Sequence, residues 1–170
     1  MAKKFIGGCG LAAKILYDET GPDTDPLGPE NRLIFMTGPF AATPVITSGR
    51  HAVLTKLPLT GVLAESDSGG TWGPFLKRTG FDGIVVSGKP NKPVYLWAAD
   101  WKAEIREAAH LWGLDAYELE PVIQKEIPKE AVVAAIGPAG ERRVRYASIM
   151  NDGKDGRAAG RGGTGAVMGK

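Results

Sequence analysis

Cysteine is nearly absent from this chain. Its 170 residues hold one, Cys9, which excludes an internal disulfide and cannot by itself carry an iron–sulfur cluster, a task that normally takes about four thiolates. Histidine is almost as scarce. His51 and His110 lie far apart, with no cysteine or carboxylate at metal-ligand spacing, so a histidine-bound metal has little support. No apolar run approaches the ~20 residues of a membrane span, and Met1-Ala2-Lys3-Lys4 leads into Phe5-Ile6-Gly7-Gly8, not the apolar stretch of a signal peptide. A cytoplasmic protein with no membrane partner is therefore expected. Excess charge is missing as well: the net charge of +2 is too small for bulk nucleic-acid binding. Neither a Gly-x-Ser-x-Gly elbow nor a Gly-x4-Gly-Lys-Ser/Thr loop occurs, which leaves the common hydrolase and nucleotide-triphosphatase readings with little support. Asp23, Asp25 and Glu30 sit in a proline-rich loop without the glycine spacing of a calcium loop.

Glycine is abundant, at 24 residues, about twice ordinary usage. With 43% hydrophobic residues, the chain can bury one core. The pattern predicts a helix over residues 11–19, a proline-rich loop over 21–31, and apolar strands at 33–36 and 52–55. A helical turn over 71–77 should follow Gly69-Gly70 and stop at Gly80. Residues 83–87 and 93–97 flank Gly88-Lys89-Pro90-Asn91-Lys92 and read as an antiparallel hairpin, with residues 103–106 as a third strand. Asp115 with Glu118 has the form of a capping box opening a helix whose apolar stripe is Leu119, Val122, Ile123 and Ile127. Strands are also expected at 131–136 and at 143–149. His110 reads as a packed turn residue, and Trp72, Trp97, Trp101 and Trp112 could line a pocket, although core aromatics are the commoner use. The whole is a β-rich α+β domain.

The most telling segment is Gly156-Arg157-Ala158-Ala159-Gly160-Arg161-Gly162-Gly163-Thr164-Gly165, with five glycines and two arginines in ten residues. Such glycines let the backbone approach a ligand, and the arginines add forked, permanently charged donors suited to phosphate or another oxyanion. A flexible tail has the same composition. Here, however, the run leads into the helix-compatible Ala166-Val167-Met168. A second cluster, Glu65-Ser66-Asp67-Ser68-Gly69-Gly70, sits in mid-chain, where its N–H groups at a helix start could bind an anion or its side chains could cap that helix. The two loops together suggest two halves of one anion-binding floor.

A resemblance carries the reading further. Phe5-Ile6-Gly7-Gly8-Cys9-Gly10-Leu11, Asp25-Pro26-Leu27-Gly28-Pro29-Glu30-Asn31, Leu33-Ile34-Phe35-Met36-Thr37-Gly38-Pro39 and Ser48-Gly49-Arg50 resemble the N-terminal domain of the tungsten-dependent aldehyde ferredoxin oxidoreductases. So do Ser66-Asp67-Ser68-Gly69-Gly70, Lys92-Pro93-Val94-Tyr95-Leu96-Trp97, Ala135-Ile136-Gly137-Pro138-Ala139-Gly140-Glu141 and Gly156-Arg157-Ala158-Ala159-Gly160-Arg161-Gly162-Gly163. The match is collinear from residue 5 to the end.

The resemblance implies a domain of two packed β-sheets with a few short helices, forming a saddle for a tungsten bis-pterin whose metal takes no protein ligand. A magnesium ion bridging the pterin phosphates would take the backbone carbonyls of Asp67 and Ala158. Arg50 would reach between the pterin and a 4Fe–4S cluster that this chain does not ligate. Gly69, Arg157, Gly160 and Arg161 would contact the pterin and phosphates; no catalytic residue falls in the chain. Cys9 stands where relatives commonly have arginine, and Asp67 where they commonly have asparagine. The family's opening strands before residue 5 and its helical domains after residue 170 have no counterpart here, so residues 1–170 look like a truncated tungstopterin-binding domain, a split-gene subunit or an expressed fragment.

The implied function is to bind the cofactor of an enzyme that oxidises aldehydes to carboxylic acids. Its expected partners are ferredoxin or an electron-transfer subunit and the helical domains, and a homo-oligomer is compatible with this. A non-catalytic pterin-binding or assembly module is the alternative from another class. A related reductase of aromatic acyl-thioesters or carboxylic acids is the alternative within the family.

Overall fold

The apolar stretch after the proline-rich loop forms β1 (Leu33–Thr37), and its five residues are all buried. This follows from its place in the middle of an antiparallel sheet ordered β3-β2-β1-β4, with β2 at His51–Lys56, β3 at Leu63–Ser68 and β4 at Gly83–Val86. The short α1 (Ala2–Phe5) precedes α2 (Gly8–Glu19), which starts earlier than the pattern predicts and covers one face of the sheet. There Ala12 and Leu16 pack on Ile34, Met36, Ala52 and Leu54. The opposite face buries Leu33, Phe35 and Val53 against Ile149, Ala159 and Val167. Covered on both sides, β1 and β2 are buried along their whole length, whereas the edge strand β3 alternates exposed and buried residues. The computed structural model describes residues 1–170, apart from the side chain of Ala2.

Beyond β3 come α3 (Trp72–Arg78), β5 (Val94–Ala99) and β6 (Lys102–Glu107). The predicted hairpin between residues 83–87 and 93–97 does not form. Instead β4 pairs with β1, and β5 pairs with β6 across a turn at Asp100 and Trp101, whose φ angles are +48° and +63°. The physical reason is burial in two different places. Ile84 of β4 packs beside Phe35, while Tyr95 and Trp97 of β5 pack on a separate cluster of Leu111, Leu119, Ile123, Ile127 and Ala135.

The helix α4 (Ala116–Ile123) opens as expected. Asp115 accepts hydrogen bonds from the N–H groups of Tyr117 and Glu118, and Glu118 accepts from the Asp115 N–H. The strand expected over 131–136 shrinks to β7 (Ala134–Ala135), and the short α5 (Pro138–Glu141) follows it. The strand expected over 143–149 is replaced by turns, with only β8 (Ile149–Asn151) paired. Its backbone packs against the C-terminal segment: Gly165 N donates to Ala147 O at 2.9 Å. His110 is also not packed as expected. It is exposed, with Nε2 2.7 Å from Glu126 Oε1. Among the tryptophans, Trp101 is 76% exposed and Trp112 48%.

The Gly/Arg run is no loose tail. It contributes β9 (Arg157–Ala159), which joins β7 and β8 in a second antiparallel sheet, and then α6 (Thr164–Met168). Ala159, Thr164, Ala166 and Val167 are buried. The result is the expected α+β architecture, with the β5–β6 hairpin as a third, separate sheet.

Candidate functional site

The site forms where the edge strand of one sheet meets the edge strand of the other. β3 borders the four-stranded sheet, β9 borders the three-stranded one, and they lie side by side. The residues of β3 paired with the α2-facing Ala52 and Leu54 are Asp67 and Glu65, so Ala64, Ser66 and Ser68 turn toward β9. Ser66 Oγ accepts from Arg161 N at 3.1 Å. Ser68 Oγ donates to Asn151 Oδ1 at 2.5 Å, and Asn151 Nδ2 donates to Gly69 O at 3.0 Å. The two glycine clusters, some ninety residues apart in sequence, therefore share one ridge. Register also sets His51 against Ser68, so Arg50 leaves β2 at the end where Gly69 leaves β3.

Neither reading of residues 66–70 at a helix start describes this arrangement. The residue before α3 is Thr71, and it makes no side-chain cap. Its N–H is taken by Asp152 Oδ2 at 2.6 Å, while Thr71 Oγ1 donates to Asp152 Oδ1 at 2.9 Å. A ligand on this ridge would therefore meet arginines and edge-strand backbone and not the start of α3, where the Thr71 N–H is already taken. Sequence patterns missed Asn151 and Asp152, because their partners lie 81 to 83 residues away. The one available signal was an Asn-Asp pair placed just before the Gly/Arg run.

Arg50, Asp67, Arg157, Ala158, Gly160 and Arg161 are exposed and Gly69 is half-buried. Arg157 Nη1 donates to Asp155 O at 2.6 Å. Among the described residues no carboxylate pairs with Arg50, Arg157 or Arg161, whereas Arg32 pairs with Glu19 and Arg106 with Glu104. Three guanidinium forks on one ridge without internal counter-ions suit an anionic ligand.

The glycines divide into two kinds. An added Cβ at Gly69 would have Arg157 Cδ, at 3.9 Å, as its nearest neighbour, and one at Gly160 only the Ala158 methyl at 3.8 Å. At Gly163 it would fall 2.0 Å from Arg145 O, and at Gly165 2.3 Å from Ser148 O. The first pair faces open ground where a ligand can approach the backbone; the second serves packing.

Three neighbours complete the picture. The Asp67 carboxylate lies on the α2 side with Glu65, near Cys9, whose thiol is pushed up by desolvation and by the Glu65 and Asp67 carboxylates. His51 is buried, its Nδ1 has no hydrogen-bond partner, and its ring lies 4.7 Å from that of Trp72. Burial lowers its pKa to about 4, opposed by the Asp152 carboxylate, so the imidazole is neutral at pH 7. A separate cleft of ≈ 670 Å³, walled by apolar side chains including Ile84, Trp97 and Ile123, contains none of the seven candidate residues. No group of three or more His, Cys, Asp or Glu side chains able to hold a metal occurs among the described residues. No helix is long and apolar enough to cross a membrane.

The family model described as aldehyde ferredoxin oxidoreductase, N-terminal domain, matches residues 1–170. The chain belongs to this family. It is 52% identical over 170 residues to the tungsten-containing aldehyde ferredoxin oxidoreductase of Pyrococcus furiosus, covering 99% of this chain and 28% of that relative. Identity to the protein of the same description from Thermococcus kodakarensis is 51%, again over 99% of this chain and 28% of the relative. Among solved structures, the active site complex BamBC of benzoyl coenzyme A reductase aligns with a TM-score of 0.93 and 45% identity, over 99% of this chain and 25% of that one. The chain thus spans little more than a quarter of these oxidoreductases, and the resemblance carried by the eight motifs is that of its whole length.

Proposed function

We propose that residues 1–170 are the tungstopterin-binding domain of an oxidoreductase that converts aldehydes to carboxylic acids and passes the electrons to ferredoxin. The observation that supports this most is the ridge itself. Two Gly-containing edges from distant parts of the sequence meet there, presenting three arginines without counter-ions and two glycines with open ground above them. Such a surface fits an extended ligand with phosphate groups.

Arg157 and Arg161 would hold the phosphate groups of the cofactor, and Arg50, at the end of β2 beside Gly69, would contact its pterin. Gly69 and Gly160 admit the ligand to backbone contact. The carbonyls of Asp67 and Ala158, on the two edge strands that meet at the ridge, would supply oxygen ligands to a magnesium ion bound with the phosphates. The Asp67 carboxylate on the α2 side leaves that role to its carbonyl. When bound, the tungsten centre supplies two-electron chemistry in which water provides the oxygen gained by the aldehyde carbon. This chain's own residues bind and orient the cofactor.

The 45% identity to benzoyl coenzyme A reductase favours a second reading within the same site, a reductase of aromatic acyl-thioesters. Aldehyde-dependent and thioester-dependent turnover of the full-length protein separates the two. For the site, Arg50→Ala and Arg157→Ala should each lower tungsten retention by about one to two decades, the worth of a charge-assisted contact of roughly 1.5–3 kcal/mol. Arg106→Ala, which removes a pair with Glu104 and a contact over the Trp97 ring, both on the β5–β6 hairpin and outside the ridge, should retain it. Equal tungsten content in all three purified variants overturns the assignment.

A further inference from the structure

We propose that Asn151 and Asp152 are positioning residues for this site, locking the turn at Gly69, Gly70 and Thr71 against Arg157. The proposal rests on the reading of the ridge as a cofactor cradle. The two residues sit at the end of β8, where register pairs Asn151 with Arg157. Asn151 is buried and holds both sides of the Ser68–Gly69 step, accepting from the Ser68 hydroxyl and donating to the Gly69 carbonyl. Asp152 follows in a left-handed conformation, φ +61°, which turns its carboxylate back across the strand ends. That carboxylate receives both the N–H and the hydroxyl of Thr71.

Gly70 shows how closely the clamp fits. Its φ is +83°, and a Cβ there would fall 1.5 Å from Asp152 Oδ2 and 3.0 Å from Arg157 Cγ. The carboxylate and the arginine stem thus both lie on the bare face of Gly70. The clamp thereby fixes in one unit the backbone of Gly69, the start of α3 and the side chain of Arg157. Two of these are cradle residues that sequence brings nowhere near each other. Neither Asn151 nor Asp152 belongs to the surface offered to the ligand; they act through Gly69 and Arg157.

A clamp of this kind works by hydrogen bonding, so the amide variant should serve. An asparagine at 152 still accepts from Thr71 N and can donate to the threonine hydroxyl. The test uses full-length protein carrying Asp152→Ala, Asp152→Asn or Arg157→Ala, with tungsten content by mass spectrometry and amide hydrogen exchange for peptides covering residues 68–73 and 33–37. Asp152→Ala is expected to speed exchange at 68–73 by about tenfold or more, leave 33–37 protected, and cut tungsten content about tenfold. Asp152→Asn should restore both.

Three results overturn the proposal. Asp152→Ala could change neither readout; it could lose tungsten without faster exchange at 68–73; or it could speed exchange equally in β1, a general loss of stability. Arg157→Ala separates the two layers of argument. If it keeps its tungsten, the cradle reading fails and the clamp with it. If it loses tungsten while Asp152→Ala does not, only the clamp fails.

Discussion

At Gly160 an added side chain would meet only the Ala158 methyl, whereas at Gly163, with φ +71°, it would enter the Arg145 carbonyl. Gly160→Val is therefore expected to unfold within a few degrees of the parent and to lose tungsten. Gly163→Val should lose stability on the order of 2–4 kcal/mol, because backbone strain and a main-chain clash cannot be relieved by a rotamer change. Thermal unfolding and tungsten-to-protein ratio, measured on both, distinguish ligand ground from packing ground. Retention of metal by Gly160→Val would make the whole run structural.

His51 gives a prediction of a different kind. Its imidazole falls from 6.5 in the open chain to about 4 when folded. The unfolded chain therefore takes up the proton first as the medium is acidified. The associated stability is complete above pH 6.5, is lost as pH falls from 6.5 to about 4, and changes no further below that. At about 1.36 kcal/mol per pKa unit the total is roughly 3 kcal/mol. His51→Phe keeps an aromatic ring on Trp72 and should flatten this part of the acid limb. Between pH 7 and 5 the parent should lose roughly 2 kcal/mol more than the variant in denaturation experiments. Parallel acid limbs would show that His51 takes its proton in the folded state.

At the level of elements, α4 is the clearest case of local chemistry deciding structure. Its reciprocal cap joins Asp115 and Glu118, and Leu119 and Ile123 face a buried cluster. Asp115→Ala should cost about 1 kcal/mol of stability and should leave tungsten content unchanged, since α4 carries none of the cradle residues. Loss of metal in that variant would tie α4 to the site. The strands obeyed different rules. Residues 143–149 alternate polar and apolar as a half-exposed strand does, yet only Ile149 joins a strand, because the carbonyls of Arg145, Ala147 and Ser148 lie against Gly163 and Gly165. The small residues at the start of α6 allow that close approach, and the backbone partner they offer displaces the ladder.

For the molecule as a whole, the proposed function separates holding a cofactor from turning it over. A single thiol, Cys9, held in its protonated form by desolvation and the nearby Glu65 and Asp67 carboxylates, provides no set of cluster ligands. The 170 residues by themselves should therefore show no aldehyde-dependent reduction of a viologen dye even when loaded with tungsten. Turnover under those conditions would place the electron path within this chain. Relatives at 52% and 51% identity extend well beyond the span shared here.

Local pattern alone determined the elements whose stabilising partners are near in sequence or are generic. The buried strands expected at 33–36 and 52–55 announced themselves by their apolar residues, and α4 by its reciprocal cap. Tertiary structure decided everything that depended on choosing between distant partners. It sent β4 to β1 rather than to β5, because Ile84 and Trp97 are buried in different clusters. It divided the glycines of one run into those with open space above the backbone and those packed against another part of it. And it placed Asn151 and Asp152 under the Gly69 turn, an arrangement with no local periodicity, made only when two sheet edges meet and buried polar groups find partners across more than eighty residues of chain.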